Sequence, residues 1–311
     1  MPLGRGAATL IAEINRVRSE LLSNPSPSLD SDLIEVYRGL LQDWQNDPAI
    51  LAMMLSPPSE KYIGELEPQI DVEGVHYARN CVERKLARAL EADILNLYEG
   101  MVLPARYSVS ATDVAHRSLR NRAPAMLVTA GSSRGIDYAK IQLLAADNMT
   151  DELAAFRALV HSGDPGVVAL KPELIENFYQ KWRDEALVLN HWFGVQSTCP
   201  LKGTLEQVKE LAQHEAFDAK NLNKLRALVG SFRNGNMFNF HDASGSGYRY
   251  LEAEICRLNS LNPQLAARFV GPLCKWKRFD ERRSNLMRES LERLRSLDNL
   301  SKMFTKLLIK V

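Results

Sequence analysis

The stretch that decides the fold is VERKLARALEADILNLY, residues 82–98. Its apolar residues recur at steps of three and four, and they are Val82, Leu86, Leu90, Ile94 and Leu97. This spacing places them on one face of an amphipathic helix. The same spacing returns at residues 222–232 and again at residues 287–294. Because convincing strand alternation is nearly absent elsewhere, the pattern predicts an all-α protein.

Helix boundaries are marked by capping residues and by breakers. Ser110, Asn148 and Thr204 each begin a pattern that is typical of helix N-caps. Proline and glycine fall between the predicted helices, at residues 25–27, 57–58, 164–166, 199–200 and 245–247. Residues 102–110 are compatible with an extended segment, but Pro104 and the short length make it a poor member of a sheet. The helices are therefore expected to follow one another as pairs of about 30 to 45 residues, as in an α-solenoid.

The composition is that of an ordinary globular chain. Of the 311 residues, 45% are hydrophobic and 25% are charged, and the formal net charge is +1. This small charge favours no nucleic-acid partner. No apolar run of about 18 residues and no signal-peptide pattern occurs, so we expect a cytoplasmic protein without a membrane partner.

Cysteine and histidine do not show metal-ligand spacing. The four cysteines form no C-x-x-C pair and are predicted to be free and mostly buried: Cys81, Cys199, Cys256 and Cys274. His214 and Glu215 begin like the zinc motif His-Glu-x-x-His, but position 218 is Asp. The sequence therefore predicts no metal site, no cofactor and no catalytic residue in this chain.

Residues 241–280, HDASGSGYRYLEAEICRLNSLNPQLAARFVGPLCKWKRFD, resemble the C-terminal helical domain of bacterial-type aminopeptidase N, a family of zinc metallopeptidases. Further strings resemble that domain in the same order, namely NDPA at 46–49, RSLRN at 117–121, DNMTD at 147–151 and LDNLS at 297–301. The resemblance runs from about residue 30 to the end. It implies a curved superhelical solenoid of HEAT/armadillo-like antiparallel helix pairs, forming one domain over residues 7–311. Residues 1–6 are expected to be a linker or vector-derived.

The family's catalytic motif is missing, because no His-Glu-x-x-His occurs. The resemblance therefore implies a domain excised from its catalytic domain and inactive in isolation, with the zinc held by the parent's catalytic domain. Its implied partners are the N-terminal and catalytic domains of the same polypeptide and a peptide substrate. Its implied role is to enclose the internal cavity and control peptide access. The alternative is a freestanding helical-repeat scaffold that binds a protein or peptide on its concave face.

Two arginines lie at the edges of predicted apolar faces. Arg226 has Leu222 and Val229 as helical neighbours, and Arg268 lies near Leu265. Each must pair with a carboxylate or reach water, because an unpaired buried charge is costly. The resemblance implies that both line the substrate channel, where a guanidinium binds a peptide carboxylate or carbonyl. An internal salt bridge is the alternative for each.

Tyr248, which is also assigned to the substrate channel, is expected either to pack or to offer its hydroxyl to that channel. Neighbouring motifs have simpler predictions. Residues 235–239 fit the family's exopeptidase motif Gly-x-Met-x-Asn, but they follow a helix and are predicted to be a turn. Gly245 and Gly247 predict a tight interhelical turn, and His241 is predicted to be structural.

Overall fold

The structure is a computed structural model that describes residues 2–101, 107–297 and 300. The first half of the chain forms helices α1 to α10: Pro2–Glu20, Ser31–Gln42, Pro48–Met54, Glu60–Leu66, Val72–Ala89, Glu91–Gly100, Ala111–Ala130, Ser133–Ala145, Met149–Val160 and Pro165–Trp182. Within the described ranges no β-strand occurs. The all-α prediction is confirmed.

The second half continues with shorter helices. Helices α11 to α14 are Ala186–Ser197, Thr204–Leu211, Leu222–Leu225 and Ser231–Gly235, with a π-helical turn at Arg226–Gly230 between the last two. Helices α15 to α18 are Met237–Phe240, Ser246–Leu261, Pro263–Phe269 and Glu281–Arg295, and a 3-10 helix at Leu273–Arg278 precedes α18. None of the helices in the described part of the chain is long and apolar enough to span a bilayer.

The opening stretch forms two helices, although its spacing predicts one. Helix α5 ends at Ala89 and α6 begins at Glu91, because Leu90 leaves helical geometry with φ −107° and ψ 13°. The five predicted apolar side chains are all buried nonetheless. Neither glycine nor proline marks the break, so the local sequence carries no signal for it. Leu90 is itself fully buried, so the apolar face continues across the break.

The predicted caps are correct at two of three positions. Ser110 accepts a hydrogen bond from the Asp113 amide at 3.1 Å, and Asn148 accepts one from the Asp151 amide at 3.0 Å. Thr204 is the first residue of α12, and Gly203 at φ +91° is the N-cap. The Thr204 hydroxyl instead donates to the Cys199 and Leu201 carbonyl oxygens of the preceding loop, each at 2.8 Å. Of the segment compatible with an extended conformation, residues 102–106 lie outside the described residues.

The chain divides into two compact units. Unit 1 comprises residues 1–63 and 74–177, and in it α7 packs against α3, α6, α8 and α9. Helices α7 and α8 approach closely at Gly135, where an added Cβ would lie 2.1 Å from the Leu127 Cβ. The Glu83 carboxylate, whose side chain is 12% exposed, lies between Arg122 at 2.7 Å and Arg79 at 3.2 Å. Burial opposes ionisation of Glu83, but the two guanidinium groups outweigh it and lower its pKa.

Unit 2 comprises residues 64–73 and 178–311. Helix α16 packs against α17 and α18, and α11 packs against α12 and the π-helical turn. The segment 64–73 joins this unit through the Ile70 amide, which donates to the Arg278 carbonyl at 2.7 Å. The assignment of residues 7–311 to one domain, and of residues 1–6 to a linker, stays a prediction.

Candidate functional site

The first candidate arginine lies on a helical rod of unit 2 that runs through α13, the π-helical turn and α14. The face of this rod that packs into the unit is formed by Leu225, Leu228, Val229 and Phe232, each at most 1% exposed. Leu222, which the spacing predicts on the same face, is 39% exposed because it is the first helical residue after the N-cap Asn221. The apolar face therefore begins one turn later than predicted.

Arg226 opens the π-helical turn, and its side chain is exposed. The wider turn is contacted by α11, where the buried Ser197 hydroxyl donates to the Ala227 carbonyl at 3.4 Å. Single π-helical turns inside α-helices occur frequently at functional sites. This one carries a candidate residue.

Arg268 lies in the last turn of α17, and its side chain is also exposed. In the part of the chain that the structure describes, neither Arg268 nor Arg226 has an ion-pair partner. The internal salt bridge that we considered for each is therefore not seen among these residues. Two exposed guanidinium groups without a carboxylate are available for an external anion or carbonyl. A role toward substrate remains a prediction.

A third arginine, which sequence reasoning missed, connects the rod to α17. The half-buried Arg233 donates from Nη1 to the Phe269 carbonyl at 3.3 Å, and its Cζ lies 4.3 Å from the centre of the Phe269 ring. Burial lowers the pKa of Arg233 to about 10, so the group stays charged at neutral pH. Its only signal in the sequence is a position seven residues after Arg226. No motif marks it.

Tyr248 lies apart from these exposed arginines, because it is fully buried in unit 2. Its hydroxyl lies 2.9 Å from the His241 Nδ1, and burial raises the pKa of the phenol. Of the two alternatives for Tyr248, the structure shows packing. A place in a substrate channel stays an untested prediction for this residue.

His241 is a satisfied structural histidine, as predicted. Its ring stacks on Phe279 at 4.2 Å, and it is hydrogen-bonded to Tyr248. Burial, and secondarily the nearby Arg283 charge, lower the pKa of His241 to about 3. The imidazole is therefore neutral at physiological pH, and both ring contacts are those of a neutral group.

The two glycine-containing motifs, residues 235–239 and residues 245–247, lie at junctions between helices. Asn236 is the N-cap of α15, and its amide donates to the Cys199 carbonyl at 2.7 Å and the Ser197 carbonyl at 3.1 Å. Gly245 adopts φ +71° before α16, and Gly247 lies so close to α15 that an added Cβ would be 2.1 Å from the Phe240 carbonyl oxygen. The turn predicted at Gly245 is present, although Gly247 already lies in α16. The turn predicted over residues 235–239 is wrong, because Gly235 ends α14, Asn236 alone is non-helical and residues 237–239 belong to α15.

The donor set for a metal is not present in the described residues, which contain no group of three His, Cys, Asp or Glu side chains placed to hold one. His214 instead packs its ring edge-on against Tyr179 at 4.7 Å, and Glu215 accepts a hydrogen bond from the Tyr179 hydroxyl at 2.7 Å. The four cysteine thiols are free. Cys199 is buried, and the other three are half-buried.

Comparison with known proteins identifies relatives that match most of the chain. The family model described as "Domain of unknown function (DUF3458_C) ARM repeats" matches residues 7–310. Aminopeptidase N of Haemophilus influenzae is 35% identical over 274 residues, and aminopeptidase N of Escherichia coli is 36% identical over 274 residues. Each alignment covers 88% of this chain and 31% of the relative. The matched part of the relatives is their C-terminal helical domain.

A solved structure of aminopeptidase A from Legionella pneumophila, in complex with aspartic acid, has the same fold. The match has a TM-score of 0.86 and 25% sequence identity, and it covers 100% of this chain and 37% of that chain. The resemblance stated from the sequence and the helical-repeat fold class are both confirmed by these relatives. The chain spans only about a third of their length.

Proposed function

The chain belongs to the family of ARM-repeat domains described as DUF3458_C, and from this premise we propose that it is the C-terminal domain of a zinc aminopeptidase that removes N-terminal residues from peptides. The similarity to two aminopeptidase N proteins supports the proposal. The domain would pack on the N-terminal and catalytic domains of the same cytoplasmic polypeptide. It would enclose the internal cavity and control which peptides enter.

The observation that carries the substrate role is the exposure of Arg226 and Arg268 without a carboxylate partner in the described residues. A guanidinium offers several N–H donors in a planar fork, which matches a carboxylate or two carbonyl oxygens. In a cavity that excludes bulk water, such a contact is stronger than on an open surface. We assign both arginines to the channel wall, where they bind peptide.

The chemical step belongs to the part of the enzyme outside this chain. There zinc would activate a water molecule, and a glutamate would act as general base. Because the described residues offer no suitable donor set, none of them is assigned to zinc. We expect the 311-residue chain alone to bind no zinc and to have no peptidase activity.

The alternative function is a freestanding helical-repeat scaffold that binds a protein or peptide partner. The order of family strings along most of the chain favours the peptidase domain, since a generic scaffold does not require them. The encoding gene distinguishes the two: we expect its reading frame to continue upstream into His-Glu-x-x-His with a glutamate ligand after it. A natural protein that begins at Met1 would favour the scaffold.

Two measurements on the purified chain test the division of labour. Elemental analysis should find less than about 0.1 zinc per chain, whereas a structural zinc site with its closed set of protein ligands would give about one. An alanyl chromogenic substrate should not be hydrolysed above the buffer rate. Stoichiometric zinc together with hydrolysis would contradict the assignment of chemistry to another domain.

A further inference from the structure

We propose that Arg233 is a positioning residue for Arg268, holding the C-terminal end of α17 and thereby setting the direction of the Arg268 guanidinium. Arg233 lies on the same rod as Arg226, seven residues further along. It thus links the two elements that carry the candidate arginines. The part of the inference that concerns peptide binding rests on the proposed function. The part that concerns α17 does not.

The contact is made at the point where α17 needs one. Helix α17 has seven residues, Phe269 is the last, and Arg268 directly precedes it. The last carbonyl groups of a helix lack intrahelical partners, and the helix dipole favours a cation there. Arg233 supplies a hydrogen-bond donor and a positive charge at this end of the helix. Its Nη1 donates to the Phe269 carbonyl at 3.3 Å, and its guanidinium lies over the Phe269 ring. So short a helix has little order of its own.

The chemistry of Arg233 suits positioning better than stabilisation. Its Nε is buried and has no hydrogen-bond partner among the described residues. A half-buried cation without a carboxylate costs desolvation energy, and an apolar residue of similar volume often packs at least as well. The carbonyl and ring contacts are directional, however. Replacement by an apolar side chain should therefore leave stability nearly unchanged and release the orientation of α17.

The test uses the 311-residue chain and trialanine as the probe, with binding followed by NMR titration. We expect Arg233→Met to weaken trialanine binding about tenfold, as for a coupling near 1.4 kcal/mol. The urea midpoint should not change. Arg233→Lys keeps the charge without the planar fork and should recover part of the affinity. Arg282→Met, which removes an exposed arginine on α18, is the matched control and should bind like the wild type.

A double-mutant cycle separates positioning from an independent effect. If Arg233 acts through Arg268, adding Arg233→Met to Arg268→Met causes no further loss of affinity. Additive losses would overturn the proposal. Hydrogen exchange gives a readout without peptide: Arg233→Met should speed amide exchange at residues 266–270 but not in α16. Unchanged exchange there would also overturn it.

Failure of the proposed function looks different. A wild-type chain that does not bind trialanine, combined with faster exchange at residues 266–270 in Arg233→Met, would support Arg233 as the positioning residue. The absence of trialanine binding would mean that peptide is not a ligand of the isolated domain. The methyl ester of trialanine shows whether the carboxylate is recognised, since its affinity should fall by about the same factor as in Arg268→Met.

Discussion

The Nε of Arg283 donates a hydrogen bond to the carbonyl oxygen of His241 at 2.6 Å, and this bond joins α18 to the turn before α16. The same guanidinium forms an ion pair with Asp280 at 2.7 Å and another with Glu73. Arg283 is 6% exposed, whereas the Glu73 and Asp280 side chains are 43% and 40% exposed. One side chain thus connects three separate segments of unit 2.

Arg283→Met should destabilise unit 2 by about 2 kcal/mol, chiefly because it leaves the carbonyl of the buried His241 without its donor. The two part-exposed carboxylates regain water and contribute less. Urea unfolding measures the change. The neighbouring Arg282 is exposed, so Arg282→Met should alter stability by less than about 0.5 kcal/mol. Equal effects of the two substitutions would mean that the network contributes nothing beyond a surface charge.

The stability of unit 2 should fall as the pH is lowered from about 6.5 towards 3. The pKa of His241 is lowered from 6.5 to about 3, chiefly by burial, so the unfolded chain binds a proton in this window and the folded chain does not. The loss from this residue is at most about 1.4 kcal/mol per pH unit. His241→Gln cannot titrate, and its stability should depend less on pH between 7 and 5. An identical pH profile in both proteins would refute the buried neutral imidazole.

Gly247→Ala should destabilise unit 2 by about 3 kcal/mol through overpacking. The new Cβ would lie 2.1 Å from the Phe240 carbonyl oxygen, which is backbone and cannot rotate away. Gly271→Ala is the matched control, because its Cβ would meet the nearest atom, the Arg268 carbonyl oxygen, at 3.8 Å. Thermal unfolding of both variants decides the point. A Gly247→Ala protein as stable as the control would show that α15 and α16 are not in close contact.

In the complete enzyme of the proposed function, Arg268→Ala should raise KM for short peptides about tenfold and lower kcat less. The physical reason is that a guanidinium distant from the reacting bond stabilises the bound substrate and the transition state alike. Steady-state kinetics with di- and tripeptides give both constants, and Arg282→Ala serves as the control. Unchanged kinetics with reduced stability would instead favour an internal salt bridge for Arg268.

Local signals determined the helices well. The apolar residues predicted in 82–98 and 287–294 are all buried, and the caps at Ser110 and Asn148 are correct. These features depend on residues three or four apart, which the sequence displays directly. The failure at Thr204 has a different cause, because the conformation of the preceding loop decides its hydrogen bonds. Thr204 donates to the loop at Cys199 and Leu201 and not to its own helix, and no local pattern specifies that contact.

The candidate site divides in the same way. Sequence placed Arg226 and Arg268 at the edges of apolar faces, and both are exposed there. It gave no reason to single out Arg233, whose partner Phe269 is 36 residues away. Tyr248 could not be assigned either, because only the fold brings His241 against its hydroxyl. A side chain's role depends on which surface packs over it, and that surface comes from another helix.

The order and spacing of residues are enough to predict an all-α helical-repeat protein, its family, and the absence of the His-Glu-x-x-His motif. Helical periodicity and ordered family strings are properties of the chain read in one dimension. Three features are visible only in the folded chain: the break at Leu90, the π-helical turn that carries Arg226 and the contact from Arg233 to the end of α17. The π-helical turn meets Ser197 through Ala227, 30 residues away, and Arg233 meets Phe269, 36 residues away. In such close packing between distant segments, a shift of one residue changes which groups meet.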